Sequence, residues 1–273
     1  MKISIIVAVG GDHIDRYTNA VKQLEALRLQ IVQPLEIIYV EQSIDGNFYF
    51  DSLPIVFDGV FYKFIPIKFH AHPELFSVSW CRNVGIYKAV GDVVIALDVD
   101  YVFDNHYLEK LSGLDIQDAY VGWNTIYYIH NQEKLKYIQS NIFPVGYDEP
   151  EGLYKNRLLC NQDDGHVGGS EVFNRQWFLD NIVGFSEDMF GWGKEDNDVY
   201  ARARSFIGTK RIFDYTIYHL HHRQKQKDVL INHVVCDRNT RDPVKTAELM
   251  RVAGVGNPDH PSPIYNDSLK WSL

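Results

Sequence analysis

Val93-Val94-Ile95-Ala96-Leu97-Asp98-Val99-Asp100 is the stretch whose reading decides the fold. Five apolar residues without a polar break, Val93 to Leu97, read as a strand buried on both faces, the pattern of a parallel sheet covered by helices. The run closes on two carboxylates at its C-terminal end, the edge at which an open α/β sheet binds ligands. Alternate strand residues point the same way, so Asp98 and Asp100 share a side, which suits a hard divalent cation bridging to phosphate oxygens. The plainer alternative is a pair of surface acids that end a strand.

Upstream, Ile3 to Val9 is a β-rich run ended by Gly10-Gly11, and Asp15 to Leu29 has helical spacing at Ala20, Leu24 and Leu27. Leu35 to Val40 is the next apolar run, ending in Glu41-Gln42-Ser43. Strand, helix and strand in that order make a right-handed parallel unit with its ligand edge at Gly10-Gly11 and Glu41. Phe61 to Ile67 reads as a third strand, Ser79 to Val90 as a helix, and Asp92 to Leu97 as the strand that delivers Asp98. The first hundred residues thus have the pattern of a nucleotide-binding half. Downstream, Ala119 to His130 reads as one aromatic strand, Pro144 to Gly165 as a loop region, and Phe173 as part of a strand. Arg175 to Asn181 and Lys194 to Ser205 read as helices, the second with acids packed into its first turn.

Composition narrows the class. The 273 residues suit one large α/β domain, and a formal net charge of -9 argues against a nucleic-acid protein, which needs a basic face. Aromatic residues make up 14%, enough to line a site that stacks on sugar or base rings as well as a core. Cys81, Cys160 and Cys236 are odd in number and widely spaced, with neither metal-type pairing nor a disulfide framework. The chain opens directly on a strand-like run too short for a signal peptide or a transmembrane helix. These features together set the expectation of a soluble, cytoplasmic protein.

The densest chemistry lies in Gly184-Phe185-Ser186-Glu187-Asp188-Met189-Phe190-Gly191-Trp192-Gly193-Lys194-Glu195-Asp196-Asn197-Asp198. Acids in a first helical turn are stabilised by the helix dipole, so capping alone is one role open to Glu195 and Asp196. Glycines on either side of Trp192 also let the backbone approach a ligand while the indole offers a flat platform for a sugar face. A carboxylate beside that platform is placed to take a proton from a sugar hydroxyl.

Asp98-Val99-Asp100, Gly168-Gly169 and Phe190-Gly191-Trp192-Gly193-Lys194-Glu195-Asp196-Asn197-Asp198 resemble the metal motif and the acceptor-side Trp-Gly-Gly-Glu-Asp-Asp-Asp motif of the β-1,4-galactosyltransferase family. A similar C-terminal signature marks the chondroitin-polymerase and polypeptide N-acetylgalactosaminyltransferase groups. The likeness spans most of residues 3 to 223. It implies a GT-A glycosyltransferase: a single domain with a Rossmann-like, mostly parallel sheet flanked by helices. Residues 1–104 would form the UDP-binding half, 105–240 the acceptor-binding and catalytic half, and 241–273 a C-terminal tail.

The resemblance also implies roles. Asp100 would bind Mn²⁺, with Mg²⁺ the alternative, and Asp98 would face the donor sugar or ribose. Trp192 would be the sugar platform, Gly169 and Gly193 would line the substrate site, Glu195 would hold sugar hydroxyls, and Asp196 would be the general base. A metal-binding His preceded three positions earlier by Met or His points to His222, then His219, and imidazole suits a mixed nitrogen and oxygen site. Arg82-Asn83-Val84-Gly85 resembles an Arg-Asn-x-Gly element whose Arg would contact the diphosphate or uracil edge. By position, Glu41 would read uridine, with the backbone of Ala8 and Val9 beside the base. Lys194 stands where Gly is usual and Asn197 where Asp is usual. The polar segment Arg223 to Asp242 is expected to fold over bound donor.

The implied activity is inverting, metal-dependent transfer of a hexose or N-acetylhexosamine, galactose or N-acetylgalactosamine foremost, from a UDP-sugar to a carbohydrate hydroxyl. A sugar-1-phosphate nucleotidyltransferase would need a glycine-rich phosphate loop with a nearby base after the first strand, where Gly10-Gly11-Asp12 stands. A non-catalytic carbohydrate-binding protein would retain Trp192 but have no use for Asp100 and His222 together.

Overall fold

The computed structural model describes residues 1–11, 14–43, 46–53, 59–68, 76–129, 153–157, 168–191, 193–209, 211–220, 222 and 230–264. Two sheets organise it. The first runs β3 (Phe61–Lys68), β2 (Glu36–Ser43), β1 (Ile3–Gly11), β4 (Val93–Asp98), β9 (Ser170–Asn174) and β6 (Ala119–Val121). Its first four strands are parallel, and β9 joins antiparallel to β4 and β6. The expected α/β class with a mostly parallel sheet is therefore the observed one.

The register places the ligand edge as the apolar runs implied. Ala8 pairs with Asp98 and Val9 with Glu41, so the C-terminal ends of β1, β2 and β4 lie together. Helix α1 (Ile14–Arg28) covers one face through Ala20, Leu24 and Leu27, which join Ile5, Val7 and Ile95 in one core cluster. Helix α2 (Val78–Lys88) covers the other, packing Trp80, Cys81 and Val84 against Ile6, Ile38 and Val94. Close approach of α2 explains Gly85: a Cβ there would lie 2.3 Å from the Ile6 Cγ2 methyl.

The second sheet has the order β5 (Tyr101–Val102), β10 (Thr216–Leu220), β7 (Thr125–Ile129) and β8 (Leu153–Arg157). The run Ala119 to His130 is thus two strands, β6 and β7, assigned to different sheets. Gly122-Trp123-Asn124 makes the switch: Gly122 N–H donates to Ser170 O at 2.7 Å, while Asn124 and Thr125 N–H both donate to Tyr215 O. Helix α3 (Tyr107–Ser112) follows β5, and the short α4 (Arg175–Trp177) continues as a wide helical turn, Phe178–Ile182. Helix α5 (Glu195–Ile207) packs against α6 (Leu230–Arg241), which leads into α7 (Pro243–Ala253). Part of the polar segment expected to cover the donor is therefore α6, and residues 223–229 lie outside the described residues.

Candidate active site

At the end of β4 the chain leaves the first sheet, turns at Val99-Asp100, and enters the second sheet at Tyr101. Tyr101 pairs antiparallel with His219 on β10, and Leu220 N–H donates to Asp100 O at 2.7 Å. That ladder brings side chains more than a hundred residues apart into one cluster. His222 Nε2 lies 2.9 Å from Asp100 Oδ2, and His219 Nε2 lies 3.9 Å from Asp100 Oδ1. One ligand atom from each of the three residues falls within 4.8 Å of the others. Burial alone would raise the Asp100 carboxyl, but the His219 charge and the His222 hydrogen bond outweigh it and hold the group well below the usual carboxylate range. Asp100 Oδ1 is buried and accepts no hydrogen bond among the described residues. An orphaned carboxylate oxygen facing two imidazoles fits a cation with mixed nitrogen and oxygen preference, so these three residues form a candidate metal site.

Asp98 belongs to a second cluster. The Arg82 side chain, on α2 and 1% exposed, sits among three carboxylates. Its Nη2 donates to Asp98 Oδ1 at 2.7 Å and lies 3.5 Å from Glu171 Oε2, while Nη1 bonds Asp196 Oδ1. Arg82, expected at the diphosphate or uracil edge, thus has its enclosed guanidinium engaged by three acids of the chain itself. The neighbouring Asn83 is used equally fully: its amide exchanges hydrogen bonds with Phe185 N–H and C=O and donates to Glu187 Oε1. The Arg-Asn-x-Gly element thus ties the acidic cluster, the loop before α5 and the sheet to one helix.

The acids opening α5 separate by environment. Asp198 is fully buried, with its Oδ2 2.8 Å from Arg202 Nη2, and Arg202 also donates to the carbonyls of Ile182 and Gly184. Asp198 is therefore part of the framework. Glu195 is 8% exposed; burial, reinforced by the neighbouring Asp196 charge, pushes its carboxyl up to about 8. Asp196 keeps a side chain 15% exposed, enough to meet a ligand. Room for it depends on Gly168, where a Cβ would lie 1.9 Å from Asp196 Oδ2. Gly169 has φ +95, and a Cβ there would strike the Tyr101 ring at 2.2 Å, so this expected substrate-site glycine is demanded by packing. Gly169 O also accepts from Asp98 N–H.

The glycine-rich loop before α5 is pinned at several points. Ser77 Oγ donates to Met189 O, Gly191 N–H donates to Phe76 O, and Asn232 Nδ2 donates to the carbonyls of Phe190 and Gly193. Lys194 has φ +74, the left-handed conformation that favours glycine, which accounts for the usual residue at this position. Trp192 lies outside the described residues.

Ala8 and Val9 lie near the C-terminal end of β1, paired with Asp98 and Glu41. Glu41 is fully buried, and its carboxylate accepts the backbone N–H groups of Tyr49 and Phe50, so it orders the loop after β2. Glu171 went unforeseen. It is fully buried on β9, its Oε2 lies 3.5 Å from Arg82 Nη2, and burial drives its carboxyl well upward despite Arg82. Its only signal in sequence is a lone acid in the run Ser170-Glu171-Val172-Phe173 directly after Gly168-Gly169.

Residues 161–224 match the family model described as the N-terminal domain of galactosyltransferase. No curated protein matches the chain. Among solved structures, a UDP complex of S. aureus TarS 1-349 is similar at 16% identity and TM-score 0.49, covering 81% of this chain and 61% of that one. A mutant Drosophila β-1,4-galactosyltransferase 7 with manganese, UDP-Gal and xylobiose is similar at 16% identity and TM-score 0.46, covering 86% and 79%. The mannosyltransferase PcManGT from Pyrobaculum calidifontis with GDP-Man and Mn²⁺ is similar at 12% identity and TM-score 0.47, covering 94% and 65%. The chain spans about three fifths of the length of the TarS 1-349 chains it matches. Among the described residues no helix is long and apolar enough to cross a membrane. The matched segment holds Gly168-Gly169, Glu171, Asp196, His219 and His222, the residues that meet Asp98 and Asp100 at the edge of the mostly parallel sheet.

Proposed function

We propose that the protein is an inverting, Mn²⁺-dependent glycosyltransferase that moves a hexose or N-acetylhexosamine, galactose or N-acetylgalactosamine foremost, from a UDP-sugar to a carbohydrate hydroxyl. The observation that supports it most is the juxtaposition of two clusters through one turn: Asp100 with His219 and His222, and Asp98 with Arg82, Glu171 and Asp196. Asp100, His222 and His219 would hold the metal, whose bound charge stabilises the departing diphosphate. Asp196 removes the acceptor proton. Glu195 is the weaker candidate, since a carboxyl with its pKa at about 8 is mostly protonated at neutral pH and donates a hydrogen bond instead. Arg82 holds the Asp196 carboxylate in place and balances its charge and that of Asp98. A single displacement by the acceptor oxygen inverts the anomeric centre, whereas an enzyme nucleophile would require two displacements and retention.

Calorimetry of UDP and a panel of UDP-sugars, with and without Mn²⁺, tests the donor and metal assignments without requiring the acceptor. Mn²⁺ is expected to tighten UDP binding, and Asp100→Ala or His222→Ala to abolish that gain in a folded protein. Unchanged metal dependence in both variants would remove these residues from the metal site.

A further inference from the structure

Helix α1 directs Arg16 and Gln23 toward the segment that starts at Asp98, because residues seven apart lie nearly two turns apart on one helix face. Arg16 Nη1 comes within 4.0 Å of Asp100 Oδ2. Gln23 is fully buried; its Nε2 donates to Asp98 O at 2.6 Å and to Tyr101 O at 2.9 Å. Its Oε1 accepts the Tyr39 hydroxyl at 2.9 Å. Both amide protons and the amide oxygen are thereby committed; the two carbonyls, which only accept, fix which end of the amide faces them, and the Tyr39 hydroxyl holds the other end. Gln30, one stretch further along, donates to Asp104 O and accepts from Leu108 N–H.

The two carbonyls that Gln23 holds belong to different sheets. Asp98 ends β4 of the first sheet and Tyr101 begins β5 of the second, with Val99-Asp100 as the turn between them. One buried amide therefore sets the span of the turn that aims Asp100 at His219 and His222. We propose that Gln23 is a positioning residue for the cation site, acting through the Asp98 and Tyr101 carbonyls and held at its other end by Tyr39. The inference rests on the reading that Asp100, His219 and His222 hold a cation. Gln30 supplies the contrast: the same residue type, just past the C-terminal end of α1, gripping backbone beyond that turn.

The test is Mn²⁺ binding to the ligand-free full chain, read from the electron paramagnetic resonance of unbound Mn²⁺, together with melting temperature, for wild type, Gln23→Met, Gln30→Met, Tyr39→Phe and Asp100→Ala. Partners that orient metal ligands typically contribute on the order of 10–100-fold to affinity, so Gln23→Met is expected to weaken Mn²⁺ binding by about tenfold. Tyr39→Phe should shift affinity the same way by less, and Gln30→Met should lower the melting temperature without changing Mn²⁺ affinity. Unchanged affinity in Gln23→Met, or an equal loss in Gln30→Met, overturns the inference while leaving the metal site standing. If Gln23→Met does not fold, Tyr39→Phe decides, and unchanged affinity there overturns the inference. A wild-type protein that binds no Mn²⁺, or binds it equally after Asp100→Ala, overturns the metal reading and this inference with it.

Discussion

Asp98 and Asp100 stand two residues apart, yet the clusters they join are neutralised in opposite ways. Around Asp98, the buried guanidinium of Arg82 is shared with Glu171 and Asp196, so the protein supplies the balancing charge itself. Around Asp100, the partners are two imidazoles and the more exposed Arg16 at 4.0 Å, and among the described residues one carboxylate oxygen is left without a hydrogen bond. Imidazoles are neutral or charged according to pH, and neutral imidazole is a metal ligand. One half of the Asp-Val-Asp motif is thus paired with a cation of the chain itself, and the other is arranged for a cation from outside.

The sharpest way to break this contrast is at the base. Asp196→Asn preserves shape and a hydrogen bond to Arg82 but cannot take a proton, and general-base contributions run on the order of a hundred- to ten-thousandfold. Turnover should fall by that range while calorimetry shows UDP-sugar binding retained; near-normal turnover would exclude Asp196 as the base.

Next is the Arg82 cluster itself. Arg82→Met removes the cation that three carboxylates share, and breaking a buried ion pair by deleting one partner costs roughly 3–5 kcal/mol. Urea denaturation at neutral pH should report a loss of that size, smaller in acid, where protonated carboxyls need no partner. A neutral effect would mean that the three acids do not depend on Arg82 for their charge balance.

Glu195 sharpens the comparison through pH. With its carboxyl at about 8 in the folded protein and near 4.5 as its ordinary value, the folded state binds a proton that the unfolded chain releases between those limits. Stability supplied by this group is therefore present below about pH 4.5 and declines as pH rises toward 8. Glu195→Gln should flatten that decline, leaving its melting temperature above that of wild type at pH 9. Parallel melting curves from pH 5 to 9 would contradict the assigned burial of the charge.

The smallest effect concerns the loop that leads into both clusters. Lys194 holds a left-handed backbone without a glycine, at roughly 1–2 kcal/mol, partly offset by the lower flexibility of its unfolded state. Lys194→Gly should raise stability by roughly 0.5–1 kcal/mol in chemical denaturation. A loss of stability would show that the lysine side chain makes up for the strain.

The sequence by itself determined the first sheet, because an uninterrupted apolar strand has few alternatives to burial between helices. Val93 to Leu97 and Ile3 to Val9 declared both their conformation and the edge at which Asp98 and Gly10 emerge. Local pattern also marked α5 and its acidic first turn. It misread Ala119 to His130 as one strand, since the switch between sheets at Gly122 is made by hydrogen bonds to Ser170 and Tyr215 that no local window contains. Side-chain purpose was harder still. Arg82 as an internal counterion, Glu41 as a clamp on Tyr49 and Phe50, Glu171 as a buried acid and Gln23 as a tie between sheets all depend on partners distant in the chain. Residue type states what a group is able to bond. Only the tertiary structure decides which donors, acceptors and charges reach it, because burial removes water as the competing partner and leaves each polar group to the neighbours the fold provides.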